Sequence, residues 1–352
     1  MHNHEKALEV FRKGTVIPAT PLALTADKKL DEQTQRLLMR YYLSSGVGAI
    51  ATAVHSTQFA IRKVGLFEPV ISLVSQEISS YEEKAHRPVM KICGACGPIE
   101  QAVKEAETAK RLGYDAMLLS PGGLSDRSEN YLVERTKAVA EVLPVIGFYL
   151  QVSVGGRILS YDYWSRIAEI DSLIGIKCAS FSRYTTFDVM RAVASSSRCG
   201  QITMYTGNDD NIIGDLLSEF VIMTSKGPVT KRFEGGLLGH WCIWTAKAVE
   251  LLEKVKAARA SKDFSELLAL GPQITDMNAA AFDPLHGFAG CICGIHEVLR
   301  RQGLMKSIRT LDDAEQLSAG QAEEITRVSK SYPHLVDDDF IASHIAEWKD
   351  QA

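Results

Sequence analysis

Lys177 closes an apolar run, Leu173-Ile174-Gly175-Ile176, and an amine at the end of a buried strand has chemical potential. Burial disfavours the ammonium, so neutral amine becomes available to attack a carbonyl carbon. The plain alternative is a surface lysine or one half of an ion pair. Tyr149 closes a second such run, Pro144-Val145-Ile146-Gly147-Phe148, 28 residues earlier. On neighbouring parallel strands the phenol would stand near the amine and could shuttle protons; otherwise it is a core aromatic with a satisfied hydroxyl. His55-Ser56-Thr57 follows a third apolar run, and successive hydroxyls and N–H groups in such a turn can hold a carboxylate. An ordinary polar turn is the competing reading. Thr20, Cys93, Ser120 and Thr206-Gly207-Asn208 end further runs. The set contains an amine, a phenol and several hydroxyls, but no converging carboxylates and no His/Asp metal trio.

Positioning these groups at one place requires a particular order of elements. Short apolar runs alternate with longer amphipathic segments, which implies βαβ units and a parallel sheet. Strands are expected over 14–20, 48–54, 88–93, 115–120, 144–149, 173–177, 202–206 and 220–224. Helices are expected between them over 31–44, 66–81, 128–142, 160–170, 185–196 and 211–217. The clearest helix lies between 99 and 112, where Ile99, Ala102, Val103, Ala106, Ala109 and Leu112 recur at helical spacing before Gly113 ends it. A long loop over 225–239 then precedes a helix over 241–258. Eight such units in about 250 residues suit an α/β fold of the (β/α)8 TIM-barrel type, whose sites lie at the C-terminal strand ends. An open doubly wound sheet is the runner-up, but no Gly-rich phosphate turn follows the first strand. Beyond 261 the pattern is helical, with breaks expected at Ser331-Tyr332-Pro333 and at Asp337-Asp338-Asp339. The expected division is a barrel domain over 1–260 and a C-terminal helical extension over 261–352.

Composition narrows the classes. A formal net charge of -4 and a pI near 6.2 argue against a general nucleic-acid binder. Arg300, Arg301 and Lys306 read as a solvated helix face. The N-terminus lacks the apolar run of a secretory signal, and no window approaches the roughly 20 apolar residues of a membrane span. Seven scattered cysteines make no disulfide framework, so a reducing cytoplasm is the expected compartment. Cys93-Gly94-Ala95-Cys96 with Cys291-Ile292-Cys293 is not a zinc spacing, and no metal site is expected.

Taken together, the motifs resemble the dihydrodipicolinate synthase / N-acetylneuraminate lyase superfamily over roughly 14–304. Ala19-Thr20-Pro21-Leu22 followed by Leu30-Asp31 is similar to that family's first strand and helix start. Gly147-Phe148-Tyr149 matches its catalytic tyrosine, and Ile174-Gly175-Ile176-Lys177-Cys178-Ala179-Ser180 its Schiff-base lysine strand. Gly207-Asn208-Asp209 looks like its G-x-D turn. The resemblance implies imine chemistry at Lys177, proton transfer by Tyr149, and substrate binding by Ser56, Thr57, Thr20 and Asn208. His55 replaces a relay threonine and could still carry protons, at a different pKa.

Departures limit the inference. Pro121-Gly122-Gly123 lacks the family's inter-subunit tyrosine, and Leu150-Gln151-Val152-Ser153-Val154-Gly155-Gly156-Arg157 lacks a securely placed carboxylate-binding arginine, which argues against lysine-pathway synthase activity. Glycines 122, 123, 155 and 156 could open room for another substrate, and Glu234 or His240 could line the mouth. The implied protein is a class I lyase, aldolase or dehydratase acting on a pyruvate-like 2-oxo acid or sugar acid. It would need no cofactor and would form a homo-oligomer, tetramer or dimer. Alternatives are a non-catalytic 2-oxo-acid binder and a metal-dependent class II aldolase, whose ligands the strand ends lack.

Overall fold

The computed structural model describes residues 3–350. After an N-terminal helix α1 (His4–Arg12), strands β1 (Val16–Pro18), β2 (Ala49–Thr52), β3 (Met90–Ala95), β4 (Ala116–Leu119), β5 (Val145–Leu150), β6 (Leu173–Ala179) and β7 (Thr203–Thr206) follow in turn. A hairpin, β8 (Phe220–Thr224) and β9 (Gly227–Lys231), precedes β10 (Phe233–Leu238). Eight parallel strands pair in the order β1-β10-β7-β6-β5-β4-β3-β2, and a bridge between Ala19 and Ala51 joins the ends into a barrel. Helices α2 (Glu32–Ser44), α3 (Phe67–Ala85), α4 (Ile99–Arg111), α5 (Glu129–Ala140), α6 (Tyr161–Ile167), α7 (Arg183–Ser195), α8 (Ile212–Leu217) and α9 (Thr245–Ser261) surround it. The extension adds α10 (Ser265–Phe282), α11 (Cys291–Arg301), α12 (Gln321–Ser331) and α13 (Asp338–Asp350). No helix among the described residues is long and apolar enough to cross a membrane.

Local chemistry accounts for the helix starts. The side chains of Asp31, Ser128, Ser160 and Ser182 each accept a backbone N–H from the first turn of α2, α5, α6 and α7. The core is split by the sheet: a large apolar cluster fills the space between strands and helices, and a smaller one fills the barrel. Helix α1 closes the N-terminal end. Its Phe11 stacks on Tyr205 at 4.5 Å between ring centroids, while the Tyr205 hydroxyl donates to Phe11 O at 2.7 Å.

The eighth barrel strand is not the one expected. Residues 220–224 do form a strand, but it pairs only with β9 in a peripheral hairpin. The barrel is completed by β10, inside the stretch read as a loop. Gly235 and Gly236 disguised it, because adjacent glycines weaken any strand reading. Close packing requires them: a Cβ on Gly235 would lie 2.4 Å from Thr15 O, and one on Gly236 would lie 2.5 Å from the Trp241 ring. Glu234 is likewise corrected. It faces Arg259 at 3.4 Å beside Gly14, at the closed end of the barrel rather than its mouth.

Removing the plug should be expensive. Phe11→Ala should lower stability by about 3–5 kcal/mol in urea unfolding, the usual loss for truncating a buried aromatic ring. A loss below about 1 kcal/mol would mean that α1 does not pack as described.

Candidate active site

Strand phase decides which groups face the barrel interior. On β5, Ile146, Phe148 and Leu150 point inward, so Tyr149 points out. On β6 the pairing with β5 slips by one residue, Val145 opposite Leu173 but Ile146 opposite Gly175. Such a bulge resets the alternation. Ile174 belongs to the interior cluster while Ile176 and Cys178 belong to the outer one, and Lys177 turns inward across from Phe148. Its Nζ sits 4.4 Å from the Phe148 ring centroid.

There Lys177 enters a small cavity of about 60 Å³ at the C-terminal ends of the strands. Val54, His55 and Ser56 form one side, Phe148 and Leu150 another, and Gly207 with Asp209 a third. Gly207 permits this closeness, since a Cβ there would lie 2.5 Å from Lys177 Cε. The extension supplies the roof: Phe282 ends α10, Phe288 lies in the following loop, and Cys291 and Ile295 stand on α11. Ala53, Gln58 and Phe181, close to the cavity in sequence, hold left-handed backbone with φ of 60°, 64° and 52°. Strain of this kind in non-glycine residues persists only where the surroundings enforce it.

Burial lowers the Lys177 pKa below the ordinary lysine range, an effect only partly offset by the Asp209 carboxylate. Burial in turn raises Asp209 above the ordinary carboxylate range, opposed by the His240 N–H and by Lys177. His55 is pushed down to about 4 by burial and by the lysine charge, so it stays neutral near pH 7. Its ring meets Phe59 edge-on at 6.1 Å.

Of the residues singled out in the sequence, Lys177, His55 and Ser56 meet at the cavity. Tyr149 does not. It stacks on Trp164 at 5.3 Å in the outer core, and its hydroxyl accepts the Leu159 N–H at 3.3 Å. Thr20 and Thr57 are buried beneath the second-strand turn and fasten it: Thr57 Oγ1 donates to Thr20 O at 2.6 Å, and Thr20 Oγ1 to Ala51 O at 3.1 Å. Asn208 is also a brace. Its Oδ1 accepts the Phe181 N–H at 2.9 Å and its Nδ2 donates to Asp215 at 2.8 Å. The next residue, Asp209, is the one that lines the cavity. The expectation of Asn208 as a substrate ligand is thus corrected, because adjacent turn residues point in different directions and it is Asp209 that enters the cavity. His240 serves through its backbone: its N–H donates to Asp209 Oδ1 at 2.8 Å, while its ring packs on Trp244.

A larger groove of about 720 Å³ adjoins the cavity and shares Val154 with it. Gly122, Gly123 and Gly155 line this groove, but Gly156 does not; a Cβ on Gly156 would meet Leu150 O at 1.9 Å, so close packing against the backbone requires glycine there. Arg157 is turned away and donates to Leu124 O at 3.0 Å. All seven cysteines are free, and burial pushes the Cys93 and Cys96 thiols up. Among the described residues, no three His, Cys, Asp or Glu side chains are grouped so as to hold a metal ion.

Known proteins supply independent bearings. No protein-family model matches the chain. It is 26% identical over 225 residues to a 4-hydroxy-tetrahydrodipicolinate synthase of Thioalkalivibrio sulfidiphilus, spanning 63% of this chain and 69% of that one. It is 31% identical over 123 residues to a "Probable 5-dehydro-4-deoxyglucarate dehydratase" of Acinetobacter baumannii, spanning 35% of this chain and 39% of that one. Among solved structures, dihydrodipicolinate synthase from Oceanobacillus iheyensis superposes with TM-score 0.71 at 17% identity, covering 93% of this chain and 99% of that one. N-acetylneuraminate lyase from Fusobacterium nucleatum gives TM-score 0.71 at 14% identity, covering 91% and 99%. At these identities the structural likeness speaks for the barrel fold.

The outward placement of Tyr149 has a measurable consequence. Tyr149→Phe should lower stability by about 0.5–1.5 kcal/mol, the worth of one hydrogen bond, and leave the titration of Lys177 where it is. Urea unfolding and the pH dependence of amine modification at Lys177 would check both; a moved lysine titration would put the hydroxyl at the cavity.

Proposed function

The chain belongs, at low identity, to the dihydrodipicolinate synthase / N-acetylneuraminate lyase superfamily, and from that premise we propose that it is a Schiff-base-forming lyase, aldolase or dehydratase. Its substrate would be a pyruvate-like 2-oxo acid or a sugar acid carrying that group. The observation that carries this reading is Lys177, an amine enclosed in a roofed apolar cavity and held below the ordinary lysine pKa. The neutral amine adds to the 2-oxo carbon, and loss of water leaves an iminium that withdraws electrons from the neighbouring carbon. That electron sink makes a metal or an organic cofactor unnecessary to the mechanism.

Ser56 is suited to the substrate carboxylate. Its hydroxyl donates to Ala19 O at 2.6 Å, and a turn about its side-chain bond would present it to the cavity. His55 stands beside it as a neutral imidazole able to accept a proton. No arginine lines the cavity among the described residues, which disfavours a reaction needing a second carboxylate at that point. The narrow cavity suits the 2-oxo acid portion, and the adjoining groove is roomy enough for the remainder of a larger substrate. A cytoplasmic homo-oligomer, tetramer or dimer, belongs to the same proposal, as does the division into a catalytic barrel over 1–260 and an extension over 261–352.

Borohydride reduction in the presence of pyruvate should fix a stable adduct on the peptide containing Lys177, and Lys177→Ala should abolish it. The sign of the pH dependence follows from the lowered pKa. Neutral amine accumulates on the low-pH side of an exposed lysine, so the trapping rate should level off well below pH 10.5, the ordinary lysine value. Mass spectrometry that finds the adduct on another lysine, or none with a panel of 2-oxo acids, would remove the mechanism.

A further inference from the structure

Imine chemistry needs a proton donor to expel water and a base to take a proton from the adjacent carbon. With Tyr149 turned outward, the cavity must supply that group from elsewhere. Ser56 is engaged with the Ala19 carbonyl, and the Cys291 thiol is held protonated by burial. Asp209 is the one carboxyl group among the described residues that line the cavity.

Resting on the Schiff-base reading, we propose that Asp209 is the general acid–base of the Lys177 reaction, in the place of the phenol that β5 turns away. Its position is built rather than incidental. Gly207 lets the loop after β7 close on the lysine side chain, and Asn208 anchors the same loop to Phe181 and Asp215. The His240 N–H holds one carboxylate oxygen at 2.8 Å, which leaves the other to meet the substrate. Around it stand Lys177 on β6, His55 after β2, Cys242 after β10, Cys291 on α11 and its own neighbour Asp210.

The protons balance. Amine addition to the carbonyl, with transfer of the N–H proton to oxygen, gives a carbinolamine. Asp209 as the acid protonates its hydroxyl; the C–O bond breaks, water leaves, and the nitrogen lone pair closes the iminium. The carboxylate thus formed removes a proton from the methyl carbon, giving an enamine and restoring the acid. The raised Asp209 pKa matches a group that must act in both forms.

The test follows deuterium uptake into the pyruvate methyl group by NMR, beside borohydride trapping. Wild type should trap pyruvate on Lys177 and exchange its methyl protons. Asp209→Asn should still trap, more slowly, while exchange falls by about 10²–10⁴-fold. Exchange in Asp209→Asn within about threefold of wild type would overturn the proposal. Absence of trapping in wild type would instead sink the Schiff-base reading beneath it. Because the side chain also anchors His240, a poorly folded Asp209→Asn would shift the decision to wild type at saturating pyruvate. Its exchange should fade with acid above the ordinary carboxylate range; a fall confined to about pH 4, where His55 titrates, would overturn the assignment.

Discussion

Holding an amine inside an apolar barrel is the constraint around which this molecule is arranged. Removing a charge from water without a partner is among the costliest events in folding, and the cheapest relief is to shed the proton. Lys177 has an aromatic ring on one side and a carboxyl group within electrostatic reach. It arrives there only because the slip between β5 and β6 changes the phase of the strand. Continued alternation from Ile174 would have carried Ile176 inward and Lys177 out among the helices. One backbone irregularity therefore decides whether this amine lies in the cavity or among the helices.

The polar turn after β2 shows how the rest of the site is kept in shape. Thr20, Thr57 and Ser56 spend their hydroxyls on backbone carbonyls, and Arg62 bridges Gly94 O at 2.8 Å and Glu105 at 2.8 Å from behind. This buried network secures the left-handed residues Ala53 and Gln58 that bound the turn. Thr20 and Thr57, which looked like substrate ligands, thus hold the walls, and polar side chains at strand ends can serve either purpose.

Much of the architecture was legible because barrel strands and their helices carry strong periodic signals. The run ending at Lys177 marked both a strand and the side chain that enters the cavity. What could not be read depended on geometry that sequence does not encode locally. Tyr149 ends its strand as Lys177 ends the next, but facing is set by counting from an inward residue, and the slip is invisible in the letters. β10 was hidden by Gly235 and Gly236, whose packing against Thr15 and Trp241 joins segments far apart in the chain. Asn208 was preferred to Asp209 wrongly, since only the loop conformation decides which enters the cavity. The extension was read as helical, but its role as a roof depends on where α10 and α11 dock.

That roof also orders events during synthesis. Lys177 leaves the ribosome long before Phe282, Phe288, Cys291 and Ile295, and a barrel lacking them leaves its cavity uncovered. An open cavity hydrates its lysine, which then regains a proton and loses nucleophilicity. On the proposed Schiff-base reading, the amine would gain its nucleophilicity only once these residues, all in the last quarter of the chain, have folded over it.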